Sequence, residues 1–344
     1  MATQGDKVDS NSTLNSQRQI ILNLYNSGIE ADVISYQLDV SQEEVNKVIE
    51  DDEKKKESKV KETLSAPSSM GGSFYLDAIV DIGLAIKMAQ TRMWKALRSG
   101  PEFDISTEET DKILNQLSKS KVIFVILHID LVHSTQLSMT LPLDRLTTII
   151  QTFSQEMSLM VELYGGFVLK YVGDAVLAFF VTNLDKDRVD EGSKDGPQSQ
   201  QQRHSEYYLP CINAINCARS MIKIVKEGIN PILNQYDYPD IGVRIGIDVG
   251  EVAIIQYGWD VHRLEQEKQI IKEPHYDILG HTVNVAVKMT GLAKPDSFTI
   301  GQSIYDILDE RQKSTFEKLN VNPNVWSYVD EKTGRTYQVY SSTA

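Results

Sequence analysis

The chain has 344 residues, 41% of them hydrophobic and 24% charged, a balance that suits one large or two smaller globular domains and excludes a fibrous or wholly disordered chain. Forty-eight acidic residues against 35 basic ones give a formal charge of −13, a field that repels phosphate backbones unless a local basic patch reverses it. The two cysteines, Cys211 and Cys217, sit in one helix-like stretch and are badly placed to pair, which excludes a disulfide framework and fits a reducing compartment.

The opening stretch MATQGDKVDSNSTLN lacks the apolar core of a signal peptide. No run approaches the roughly 18 uninterrupted apolar residues of a spanning helix. The best candidate, Phe74 to Met88, is broken by Asp77, Asp81 and Lys87. A soluble, cytoplasmic chain without a membrane partner is expected.

In chain order, residues 14–50 read as a compact three-helix unit of the helix-turn-helix type. Its first helix carries Ile21, Leu24 and Tyr25 on one face and stops at Gly28. A second covers about Glu30 to Leu38. A third opens at Ser41, whose hydroxyl caps the helix while Glu44 reaches back. That third helix, SQEEVNKVIEDDE, is acidic where a major-groove helix needs donors and positive charge, so a protein partner or dimerisation suits the module better than DNA.

Residues 51–120 read as a charged linker followed by helices: DDEKKKESKVKETL, the flexible APSSMGGS, an amphipathic helix over 74–98 ended by Gly100 and Pro101, and a helix capped by Ser106 with Glu109. The apolar stripe of 74–98 serves either a dimer contact or its own domain.

From 121 the pattern changes. KVIFVILHIDL (121–131) is the near-continuous apolar run of a strand buried on both faces. A helix follows Pro142, carrying Leu146, Ile149, Ile150, Phe153, Met157 and Met160. A hairpin comes next, FVLKYV and AVLAFFV joined by Gly173-Asp174. Residues 182–206 read as a polar surface insertion, and a helix runs from about Tyr207 to Glu227. Two strands follow, around IGVRIGIDVG and EVAIIQYG, then a charged excursion over 259–275, the helix HTVNVAVKMTGLA and a closing hairpin turning near Gly334. The order β-α-β-β-α-β with additions resembles a ferredoxin-like α+β sandwich.

Two carboxylates stand out. Asp130 lies near the end of the first buried strand and Asp174 in the tight turn of the hairpin. In a ferredoxin-like sheet these positions are neighbours, and two hard oxygen ligands at one edge suit Mg²⁺ or Mn²⁺. Each aspartate equally serves as a turn cap. His128 shares the strand face of Asp130, and without clustered His or Cys partners it does not make a zinc site.

Five stretches in order carry a resemblance: HIDLVHST (128–135), GGFVLKYVGDAVLAFF (165–180), VRIGIDVGEV (243–252), YDILGHTVNVAVKM (276–289) and the C-terminal hairpin. Together they make residues 121–341 similar to the catalytic domain of class III nucleotidyl cyclases, the adenylyl and guanylyl cyclase family. The resemblance implies an adenylyl cyclase acting in signal transduction, with two Mg²⁺ or Mn²⁺ ions per site held by Asp130, Asp174 and the carbonyl of Leu131. It implies that Lys170 and Asp277 read the base. A lysine donates to adenine N1 and a carboxylate accepts from the 6-amino group, whereas guanine-using members typically carry Glu and Cys, so ATP is favoured. It implies further that Asn284 orients the ribose and that Arg244 meets the phosphates, although Arg244 also simply alternates with the apolar residues of its strand. Metal and base residues come from different subunits in this family, so a homodimer with sites at its interface is implied.

Two departures stand against the pattern. Lys288 replaces the arginine that steadies charge at the reacting phosphate, keeping the charge but losing the bidentate fork. His133 stands where the family often has glycine. They motivate the alternatives of a weak or inactive pseudo-cyclase scaffold and of a helix-turn-helix regulator with a nucleotide-sensing domain.

Overall fold

The structure is a computed structural model that describes residues 18, 20–22, 25, 31–38, 40–51, 78–103, 105–118, 121–182, 197–264, 269–330 and 333–342, without side-chain placement for 33, 37, 197–206, 260–264 and 269–273. The chain divides into two compact units, 1–68 and 69–344.

The first unit contains α1 (Ala31–Leu38) and a helix over 42–51. Ile21, Ile34, Val45 and Ile49 are buried together as its small core, and Arg18 pairs with Asp51 at 2.9 Å. Ser41 Oγ accepts from the Glu44 N–H at 3.2 Å. The Glu44 carboxylate meets the Ser41 hydroxyl, at 3.3 Å. Leu24, Gly28 and the linker over 52–77 lie outside the described residues.

The second unit is an eight-stranded sheet with helices on both faces. Its helices and strands begin with α2 (Ile82–Ser99), α3 (Glu108–Gln116), β1 (Lys121–Val132), α4 (Ser134–Thr140) and α5 (Leu143–Leu163). The hairpin β2 (Phe167–Val172) and β3 (Ala175–Val181) follows, then α6 (Pro197–Lys223), a π-helical turn Ile224–Ile229 and α7 (Asn230–Gln235). The remainder is β4 (Gly242–Leu264), β5 (Gln269–Leu279), α8 (His281–Thr290), β6 (Ser297–Gly301), α9 (Gln302–Ile307), α10 (Glu310–Lys313), β7 (Phe316–Lys318) and β8 (Val339–Ser342). The sheet order is β2-β3-β1-β4-β6-β8-β7, with β5 on the extension of β4. Its first four strands, β2-β3-β1-β4, are antiparallel in the order of a ferredoxin-like βαββαβ unit, as the sequence led us to expect.

Strand alternation sorts β1 between two cores. Val125, Leu127, Ile129 and Leu131 pack with residues of α2, α5 and α6, while Phe124 and Ile126 pack on the other face with Leu114 and Ala286. Helix α2 lays Ala85, Ala89, Met93 and Leu97 into the first core, so its apolar stripe is used within its own unit. Asp81 caps it, accepting from the Leu84 N–H at 3.1 Å.

Helix α8 rides unusually close to β4. A Cβ on Gly246 would lie 2.2 Å from the Ala286 carbonyl oxygen, and one on Gly250 would lie 2.2 Å from Thr282 Oγ1. Glycine on one face of the strand therefore admits the helix. Thr282, Ala286 and Thr290 face the sheet, which turns Asn284 and Lys288 outward.

Four local expectations are corrected. Helix α3 starts at Glu108, with Ser106 Oγ taking the nearer Glu108 N–H at 3.2 Å instead of forming a box with Glu109. Helix α6 begins at Pro197, ahead of the expected Tyr207, because proline suits a first helical turn and the polar residues after it tolerate helix. The part of the expected insertion over 183–196 lies outside the described residues. The two expected strands are one continuous β4, since Gly250 serves helix packing and not a turn. The charged excursion over 259–275 is a ribbon, with Trp259 opposite Pro274 and Val261 opposite Lys272.

Candidate active site

The β1–β3 register pairs Ile129 with Val176, which brings Asp130 and the turn residue Asp174 to the same end of the sheet. Burial holds the His128 imidazole below its usual pKa, against the smaller raising pull of the Asp130 and Asp174 carboxylates. His128 Nδ1 lies 2.9 Å from Thr290 Oγ1, so this histidine ties β1 to α8. On the other side of β1, Asp130 stands directly opposite Arg244 of β4, and Arg244 Nη2 donates to Asp130 Oδ2 at 2.6 Å. Among the described residues, Asp174 Oδ2 and Arg244 Nε are buried with no hydrogen-bond partner. Leu131 follows Asp130 as a buried residue opposite Val243.

A cleft of about 440 Å³ opens beside Asp174, bordered by Gly173, by Ser134 and Thr135 of α4 and by Thr147 and Gln151 of α5. Its wall mixes these hydroxyls and the amide with apolar Leu146 and Ile150. His133, at the start of α4, is exposed and has φ 65°, the left-handed region where glycine is at ease. The side chain is thus accommodated at a backbone cost.

A carboxylate oxygen buried without a donor is costly unless a cation meets it. Asp130 and Asp174 supply hard oxygens at one edge, so the residues present fit Mg²⁺ or Mn²⁺. Among the described residues no group of three or more His, Cys, Asp and Glu side chains could hold a metal, so a bound ion would draw its remaining ligands from backbone, water or substrate.

Lys170 of β2 and Asp277 of β5 form a second cluster. The Lys170 Nζ donates to Asp277 Oδ2 at 2.5 Å, and Asp277 Oδ1 accepts from the Ile278 N–H at 2.8 Å. The backbone contact orients the carboxylate, while the ammonium keeps two further donors. Asn284 and Lys288 form a third group, both exposed on the outer face of α8. No hydrogen bond or ion pair among the described residues joins these three groups to one another.

Sequence reasoning missed three features. Glu156 is fully buried and holds Arg92 through 2.5 and 2.8 Å contacts, and Arg145 Nη1 donates to the Leu97 carbonyl at 2.7 Å. Both contacts tie α2 to the helix bordering the cleft. A charge on the apolar stripe of Phe153, Met157 and Met160 was the available signal. Asp248 is the third: burial pushes its carboxyl up to about 7, and Tyr337 donates to it at 2.6 Å.

Residues 117–339 match the sequence model of the adenylate and guanylate cyclase catalytic domain. Two curated Escherichia coli proteins named cytidylate cyclase are similar to the chain. One is 26% identical over 145 residues, 42% of this chain and 26% of the relative. The other is 27% identical over 197 residues, 57% of this chain and 38% of the relative. The chain thus spans between about a quarter and two-fifths of these relatives' length. Among solved structures, the adenylyl cyclase CyaB from P. aeruginosa is 19% identical with a TM-score of 0.43, covering 65% of this chain and 95% of that one. The guanylate cyclase domain of RhGC from Catenaria anguillulae, solved with GTP, is 19% identical with a TM-score of 0.41, covering 65% of this chain and 98% of its own. No helix among the described residues is long and apolar enough to cross a membrane.

Proposed function

Because residues 117–339 belong to the adenylate and guanylate cyclase catalytic domain family, we propose that the chain cyclises a nucleoside triphosphate to its 3′,5′-cyclic monophosphate and pyrophosphate, with ATP as substrate, in a cytoplasmic signalling role. The observation that carries the substrate reading is the Lys170–Asp277 pair. A spare ammonium donor reaches an unprotonated ring nitrogen, and the oriented carboxylate accepts from an adjacent amino group. Adenine offers that pattern. Guanine and uracil place a carbonyl and a ring N–H there, which leaves donor against donor and acceptor against acceptor.

Asp130, Asp174 and the Leu131 carbonyl would hold the divalent ions. When bound, these ions neutralise the triphosphate and favour ionisation of the ribose 3′-hydroxyl. Asn284 orients the ribose, and Lys288 sets positive charge beside the α-phosphate. The 3′-oxygen forms its bond to the α-phosphorus as the bond to pyrophosphate breaks. Asn284 and Lys288 face outward from α8, consistent with their completing the site of a second copy in a homodimer. Residues 14–50 act as a partner-binding module, 51–120 supply a charged linker and helices, of which α2 and α3 pack into the cores of the second unit, and 121–341 form the catalytic domain.

A second reading is CTP. Cytosine presents its 4-amino group beside the N3 acceptor, the same pattern on a smaller base, and the curated relatives are named cytidylate cyclases. Incubation with Mn²⁺ and each of ATP, CTP, GTP and UTP, with products identified by mass, separates the readings. Cyclic AMP as main product supports the first and cyclic CMP the second. Main products from GTP or UTP refute the base-reading role, and no product from any nucleotide leaves the pseudo-cyclase scaffold.

A further inference from the structure

The two aspartates at the sheet edge are not in equivalent states. Asp130 already has a cation, the Arg244 guanidinium at 2.6 Å from its Oδ2, held there because β1 and β4 set the two residues opposite each other. Asp174 has none among the described residues, and its Oδ2 is buried without a donor there. Among the described residues Arg244 meets Asp130 alone of the two aspartates, through Nη2, while its Nε is buried without an acceptor. A fixed positive charge on one carboxylate has two effects on an arriving divalent ion. It occupies an oxygen the ion needs, and it repels the ion at short range in a partly desolvated place.

We propose that Arg244 is a positioning residue that competes with the divalent ion for Asp130. It keeps the carboxylate aligned while the site is empty, and it makes the nucleotide-free protein a weak metal binder, so that the ion enters together with the triphosphate, whose negative charge offers the guanidinium another partner. The inference rests on reading Asp130 and Asp174 as the metal-holding pair. It gives Arg244 a role before the phosphates arrive, which the sequence did not suggest.

The test is Mn²⁺ binding to the full chain without nucleotide, followed by the electron paramagnetic resonance signal of free Mn²⁺, with thermal unfolding recorded for each variant. Arg244→Ala is expected to bind Mn²⁺ about fivefold more tightly than the wild type, a charge-assisted contact discounted for partial exposure. Asp174→Asn in the same background is expected to remove that binding. Should Arg244→Ala fail to fold, Arg244→Gln keeps the side chain's reach without its charge and carries the same expectation. Equal or weaker Mn²⁺ binding in a folded Arg244 variant, still abolished by Asp174→Asn, overturns the competition and leaves the metal pair standing. Mn²⁺ binding indifferent to Asp174→Asn, or absent from every form, overturns the metal pair and this proposal with it.

Discussion

Lys170 and Asp277 meet at 2.5 Å although 107 positions separate them in the chain, and the contact spans two strands that are not neighbours in the sheet. A salt bridge this exposed adds little stability by itself, since 43% of the lysine side chain remains open to solvent. In the proposed base-reading role, the pair presents one donor and one acceptor side by side. Replacing Lys170 with Glu and Asp277 with Cys inverts that pattern, so the double variant is expected to lose ATP turnover and gain GTP turnover, by about tenfold or more in the ratio of kcat/KM. Unchanged nucleotide preference in a folded double variant removes these residues from base recognition.

Lys288 faces outward from α8 beside Asn284 and carries one point charge where a guanidinium would offer two parallel donors. Lys288→Arg is expected to raise kcat by about 10- to 150-fold, the equivalent of ~1.5–3 kcal/mol. KM should change less, because the contact matters most when charge develops on the phosphate. Steady-state kinetics decide it. Unchanged or lower turnover means the site is adapted to lysine.

Asp248 supplies a pH dependence away from the catalytic chemistry. Burial raises its carboxyl from 3.8 to about 7, against the lowering effects of the Tyr337 hydroxyl and the Val249 N–H. Between those values the folded chain holds a proton that the unfolded chain has released, so this contribution is full at low pH, falls as pH rises and is gone above about pH 7. The stability of the wild type relative to Asp248→Asn should therefore decline from pH 5 to pH 7 and level off beyond. Urea unfolding of both forms at pH 5, 6, 7 and 8 measures it, and a difference that stays flat across that range contradicts the raised value.

Much of the catalytic unit was legible because its signals are local. The apolar run ending in Asp130, the Gly173-Asp174 turn between two apolar strands and the periodic stripe of α5 each survive as elements at nearly the expected bounds. What failed was set by distant partners. Gly250 reads as a turn residue until Thr282 lies against it, and the charged stretch after Trp259 reads as a loop until β5 pairs with it. The Arg244–Asp130 contact was invisible for the same reason: alternation placed Arg244 on a face, but only the β1–β4 register chose its partner.

Asp174→Asn tests most directly the proposal that Asp130 and Asp174 form a metal-dependent cyclising centre. The exchange keeps size and hydrogen-bonding capacity while removing the charge from an oxygen that has no donor among the described residues. Cyclic nucleotide formation with Mn²⁺ should fall by at least about a hundredfold, while thermal unfolding and oligomeric state match the wild type. Near-normal turnover in that variant would contradict the account.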